Sequence, residues 1–243
     1  GVGSPATYAE CFEFFLAPYP VGGDPFLNGE PGLAPHVINN SWTCPPYEGC
    51  DEEARAVMEA VVETVRAAGI MVVASAGNQG YAGCSSVDDP PAIYDAAFSV
   101  GATDSSDVIA GFSSRGPVRI DGSGRLKPDV SAPGVSVRSS IPGTGYVRLN
   151  GTSMAGPHVA GTAALVWSAV PQLIGDVTGT ETAIAHAARP RTTADGCGGD
   201  GPDDVPNNTY GWGIVDALSA VERTVAQAAI AKRVSVAPGV PAR

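Results

Sequence analysis

The chain has 243 residues, 44% of them hydrophobic and only 16% charged, with 31 glycines and 21 prolines scattered along it. That balance supports a sizeable buried core and excludes a disordered chain. A net charge of −11 with 14 dispersed basic residues excludes a nucleic-acid partner, and no run reaches the roughly 18 apolar residues of a membrane span.

The opening GVGSPATYAECFEFFLAPY is already amphipathic, with neither an initiating Met nor a signal peptide, and reads as the middle of something longer. A helix is expected over residues 5–17, followed by a Gly/Pro-rich loop to residue 35. HVINNSW (36–42) reads as a short buried strand. DEEARAVMEAVVETVRAAG (51–69) is the clearest helix: Ala54, Val57, Met58, Val61, Val62, Val65 and Ala68 keep the helical period. Asp51 suits its N-cap and Gly69 its C′ position. IMVVASAG (70–77) is apolar on both faces, as strands of a parallel sheet are. These three elements make a βαβ crossover. Further strands are expected at 97–102, 129–131, 135–139 and 146–149, with a buried helix at 152–169 and helices at 180–188 and 215–231. Strands alternating with helices argue for an α/β sandwich with a mainly parallel sheet. Residues 1–231 form one domain, and KRVSVAPGVPAR (232–243), which lacks any period, reads as a tail or linker.

Cys11, Cys44, Cys50, Cys84 and Cys197 contain no CxxC and lie far in sequence from the three histidines, so disulfides of an exported protein fit better than zinc. Cys44 and Cys50 flank the turn-rich PPYEG and can close a short loop. The odd count leaves one thiol, either buried and free or paired outside this chain. Cys11, inside an apolar helix pattern, is the candidate for the buried one.

YVRLNGTSMAGPHVAGTAALVW (146–167) reads as strand, tight turn and helix. Gly151 permits a sharp entry and Thr152 suits the N-cap. Ser153 then falls in the first helical turn, where unpaired N–H groups gather. Pro157 removes an N–H one turn in and frees the Ser153 carbonyl. A serine so placed looks like a nucleophile, which needs a histidine base and an orienting carboxylate.

NGTSMAGPHVAG (150–161) closely resembles the serine segment of the subtilisin-like serine peptidases, the subtilases. VVASAGNQG (72–80) resembles the segment that supplies their oxyanion-hole asparagine, here Asn78. INNSW (38–42) is similar to the strand that runs beside the substrate backbone. FSSRGP (112–117), KPDVSAPG (127–134) and YGWGIVDA (210–217) match family scaffold segments in the expected order. The resemblance runs from about residue 5 to 225 and is strongest to the bacillopeptidase F-type secreted branch.

This resemblance implies a three-layer sandwich with a mainly parallel sheet and helices on both faces, here lacking its N-terminal strands. It implies Ser153 as nucleophile and Asn78 as oxyanion donor. Ser41, Trp42 and Thr43 on one side, with Ala74, Ser75, Ala76 and Gly77 on the other, would meet the substrate. Proteins or peptides would be the substrates, outside the cell, with no catalytic cofactor. A structural calcium ion fits the family, yet Asp88, Asp89, Asp200, Asp203 and Asp204 show no ligand spacing, so no metal residue is assigned. Two departures stand out: Thr43 where Gly often follows the Trp, and Gly156 for the commoner Ala or Ser, read as a neutral loss.

None of the three histidines suits the base. His158 lies five residues after Ser153, about 500° around the helix, and resembles a structural histidine of the family. His36 precedes a strand, and His186 belongs to the helix ETAIAHAA. The family triad runs Asp, His, Ser, and neither a D-[TS]-G-like nor an H-G-T-H-like string occurs here. Both are therefore expected upstream of residue 1, which makes the chain the C-terminal two-thirds or so of a catalytic domain. Such a part would be inactive alone and would expose a sheet edge. An α/β-hydrolase order of Ser153, Asp176, His186 is a rival, but residue 155 is Ala where that motif needs Gly. A non-catalytic peptide-binding module is the alternative function.

Overall fold

The computed structural model describes residues 3–236. Ser4 caps the first helix, α1 (Pro5–Leu16), in a reciprocal pair with Thr7: each side-chain oxygen accepts the other's N–H. One turn, α2 (Pro25–Asn28), capped by Asp24, leads to β1 (Val37–Asn40). Asp51 caps α3 (Glu52–Ala67), its carboxylate accepting the Ala54 N–H at 2.9 Å, and Gly69 follows the helix at φ +84°. Both ends match the sequence signals, because each is a local matter of one side chain or one dihedral.

β2 (Met71–Ser75), β3 (Phe98–Thr103) and β4 (Val130–Pro133) join β1 in a parallel sheet of order β1-β2-β3-β4. Val37 pairs with Met71 and Asn40 with Ala74, which sets the crossover register. The hairpin β5 (Val137–Ser140) and β6 (Tyr146–Leu149) precedes α4 (Thr152–Ala169). α4 lies against all four strands, with α5 (Val177–Ala187) and α6 (Ala217–Val236) packed behind it. Ile38, Val72 and Ala74 face the core under α1 and α3, while Met71, Val73 and Val100 face α4. Helices therefore cover both faces of a mainly parallel sheet, in three layers.

The structure corrects several expectations. The first strand ends at Asn40, not residue 42, because the chain turns there toward Cys44, whose N–H donates to Pro90 O at 3.0 Å. α4 is not buried all round: Pro157, His158, Gly161, Ala164 and Leu165 form an exposed face. The outer edge of β1 is covered by no strand of the described residues. α6 continues past residue 231 to Val236, and residues 237–243 of the expected tail lie outside the described residues.

Cys44–Cys50 forms, and a second bond, Cys84–Cys197, joins residues 113 apart. Cys11 is free but exposed, not buried. Its neighbour Phe12 takes the inward position, and one helical residue is a rotation of about 100°. Lys127 is 1% exposed, its ammonium donating to Ala97 O at 2.6 Å and to Asp129 at 2.7 Å. Asp129 also accepts from the N–H and hydroxyl of Ser99, so one ionic knot ties β4 to β3.

Loop-closure entropy predicts a loss of about 4–5 kcal/mol when Cys84 and Cys197 are both replaced by Ala, against about 2 kcal/mol for Cys44 and Cys50, measured by urea unfolding. A pH effect is also expected. Burial, reinforced by the charge of Asp88, pushes the Asp89 carboxyl up to about 6. A raised folded-state value means the folded chain holds this proton longer, so stability falls as pH rises from about 4 to about 6. Asp89→Asn should flatten that part of the curve in thermal melts.

Candidate active site

The carboxyl ends of β1 and β2 converge on the N-terminus of α4. The chain enters that helix through Gly151 at φ 151°, ψ 158°, with its N–H donated to Gly134 O at 2.8 Å. Gly151, not Thr152, is the N-cap, and no side chain caps the helix. The Thr152 hydroxyl is engaged elsewhere: it donates to Asn78 Oδ1 at 3.1 Å and accepts the Gly77 N–H at 3.3 Å. Thr152 N–H donates to the same Asn78 oxygen at 3.0 Å. With Oδ1 held by two donors, the amide is locked with its Nδ2 donor turned away from Thr152.

A Cβ built on Gly151 would lie 3.7 Å from both Asn78 Nδ2 and Ser153 N. The two nitrogens therefore lie beside the same glycine, together with Met154 Sδ at 3.6 Å. An oxyanion there would meet a fixed amide and a helix N-terminus together. Ser153 is half-buried on the second residue of α4, its hydroxyl 3.4 Å from Ser41 O. Its carbonyl, without an N–H from Pro157, accepts from Ser41 Oγ at 3.1 Å.

The other residues fall into place around this glycine. Ser41 is exposed and Thr43 half-buried, both just past the end of β1. The Trp42 ring is stacked flat on Tyr8 of α1, centroids 4.0 Å apart, so it builds the wall behind the strand. Ala74, Ser75, Ala76 and Gly77 are all buried. Ser75 Oγ is buried with no hydrogen-bond partner. A Cβ on Gly156 would come 2.7 Å from Asn39 Oδ1, the free end of an exposed side chain, which would have to shift. Asn39 and Thr152 thus carry site geometry that their sequence positions did not advertise; the one local signal was Pro157, which leaves a carbonyl needing a donor.

No histidine of the described residues hydrogen-bonds Ser153. His158 projects into solvent, with Nδ1 3.0 Å from Met154 O. The His186 ring packs edge-on against Trp212 at 4.8 Å, and His36 against Trp167 at 6.2 Å. Asp176 caps α5 by accepting the Gly179 N–H at 2.9 Å and makes no contact with His186, which removes the α/β-hydrolase order.

The sequence profile of the subtilase family (peptidase S8) matches residues 32–213. The chain belongs to this family. Bacillopeptidase F of Bacillus subtilis is 40% identical over 90% of this chain, which spans 14% of that relative. Subtilisin DY of Bacillus licheniformis is 47% identical over 48% of this chain and 39% of its own length. Subtilisin BL of Lederbergia lenta is 37% identical over 76% of this chain and 56% of its own. The chain therefore spans well under two thirds of these subtilases. In fold it is similar to the prenylagaramide maturation protease, at a TM-score of 0.60 and 22% identity over 91% of this chain and 68% of that one.

Thr152→Val keeps the side-chain shape but leaves the buried Gly77 N–H without an acceptor. A stability loss of about 1–3 kcal/mol is expected in chemical unfolding.

Proposed function

We propose that this chain is the C-terminal part of the catalytic domain of a secreted serine endopeptidase that hydrolyses proteins or peptides through an acyl-enzyme. The observation that carries the reading is the placing of Asn78 Nδ2 and Ser153 N beside one glycine at the N-terminus of α4, with the Asn78 oxygen held by Thr152. Ser153 Oγ attacks the scissile carbonyl, a histidine supplied upstream accepts its proton, and an upstream aspartate orients that histidine. Asn78 and the Ser153 N–H hold the oxyanion. The substrate backbone lies along Ser41–Thr43. Ala74, Ser75, Ala76 and Gly77 back the first specificity pocket through their main chain and packing, since their side chains are covered.

The upstream part of the domain would also cover the free edge of β1 and the exposed face of α4. The two disulfides favour an extracellular setting. No helix of the described residues is long and apolar enough to cross a membrane. Among the described residues no three or more His, Cys, Asp or Glu form a cluster that could hold a metal ion, and no step of the proposal uses one.

The chain alone should hydrolyse no peptide substrate above background. Expressed with its upstream sequence, the wild type should turn over, and Ser153→Ala should abolish turnover. Asn78→Ala should lower kcat about 100- to 1,000-fold with little change in KM, a magnitude taken from the corresponding donor of subtilisin. A full-length protein that binds peptides yet has no upstream His or Asp strings would instead make this a non-catalytic peptide-binding module.

A further inference from the structure

Pro157 stands four residues after Ser153 in α4, where a helical N–H would normally bond the Ser153 carbonyl. The missing donor is replaced from outside the helix. Ser41 Oγ donates to Ser153 O at 3.1 Å, and Asn39 Nδ2 donates to Ser41 Oγ at 2.8 Å. A serine hydroxyl has one proton and two lone pairs, so the amide of Asn39 occupies a lone pair and leaves the proton for Ser153. Gly156 makes room for this arrangement, because a Cβ there would come 2.7 Å from Asn39 Oδ1. Consecutive residues of one helix, Gly156 and Pro157, thus open the space and the vacancy that Asn39 and Ser41 fill. In return the Ser153 hydroxyl faces Ser41 O at 3.4 Å, so contacts run both ways between the end of β1 and the nucleophile.

We propose that the side chains of Asn39 and Ser41 are positioning residues for Ser153. They clamp its main chain to the end of β1, and so hold its hydroxyl and its N–H in register with Asn78. The proposal rests on Ser153 being the nucleophile. Neither side chain reaches the reacting atoms; both act through the Ser153 carbonyl.

The test is a double-mutant cycle in the protein expressed with its upstream sequence. Ser41→Ala should lower kcat about tenfold, as loss of one hydrogen bond does, with KM nearly unchanged, and Ser41→Thr, which keeps the hydroxyl, should restore most of it. Pro157→Ala returns an N–H to the helix and should shrink the Ser41→Ala effect to below about twofold. An equal effect in both backgrounds overturns the clamp. Asn39→Asp provides a second reading that leaves the fold intact. A carboxylate only accepts, so it draws the Ser41 proton away from Ser153 and should reproduce the kcat loss while destabilising the fold no more than Ser41→Ala does. Wild-type kcat in Asn39→Asp would overturn the relay. The same cycle read as urea-unfolding constants requires no turnover. Coupling there in a protein whose wild type is inactive would leave the hydrogen bond standing and reject the nucleophile reading with the positioning role built on it, and absence of coupling in either readout would reject the clamp.

Discussion

The close seating of α4 on the sheet governs everything at the site. The helix lies against all four parallel strands, and the residues that touch them are small: Ala155, Val159 and Ala163 are fully buried, and Gly156 has no side chain at all. Small residues let two backbones approach, and the interior is too densely packed to tolerate an extra methylene without movement. A bulkier contact face would lift the helix, and Thr152 would no longer reach Asn78. At Gly156 the Asn39 amide oxygen lies 2.7 Å from where a Cβ would stand.

That approach brings polar groups into a crowded place, and most of them are paired. The Asn78 oxygen is consumed by two donors from Thr152 while its nitrogen is left over. The N-terminus of α4 likewise has N–H groups with no partner in the helix. The Asn78 nitrogen and the Ser153 N–H are thus left as donors beside Gly151.

Elements whose signals are local were legible from the residues. α3 was readable from end to end because its period, its Asp51 cap and its terminal Gly69 are all properties of neighbouring positions. β2 read as a parallel strand because both its faces are apolar, and the span of α4 followed from Gly151 and the Ala/Gly run. Cys44–Cys50 was readable because its loop is short. Cys84–Cys197 was not, because residues 113 apart meet only once β-strands, loops and helices have packed. Cys11 was misplaced for a related reason: an apolar run shows that a helix has an inner face, but small residues on its border fall on either side. Thr152 looked like a cap on local grounds, and a tertiary partner, Asn78, took its hydroxyl instead.

Residue pattern alone established the α/β class, the crossover, the serine in the first turn of a helix and the asparagine at the end of a strand. These follow from periodicity, capping chemistry and the two dihedrals of glycine, which act over a few residues. The packed chain decided the rest: that Asn78 points its nitrogen outward, that Ser41 and Asn39 hold the Ser153 carbonyl, and that no histidine here serves that serine. Hydrogen bonds between segments about 75 to 110 residues apart depend on where strands end and how closely a helix lies on them. Spacing along the chain carries no record of either.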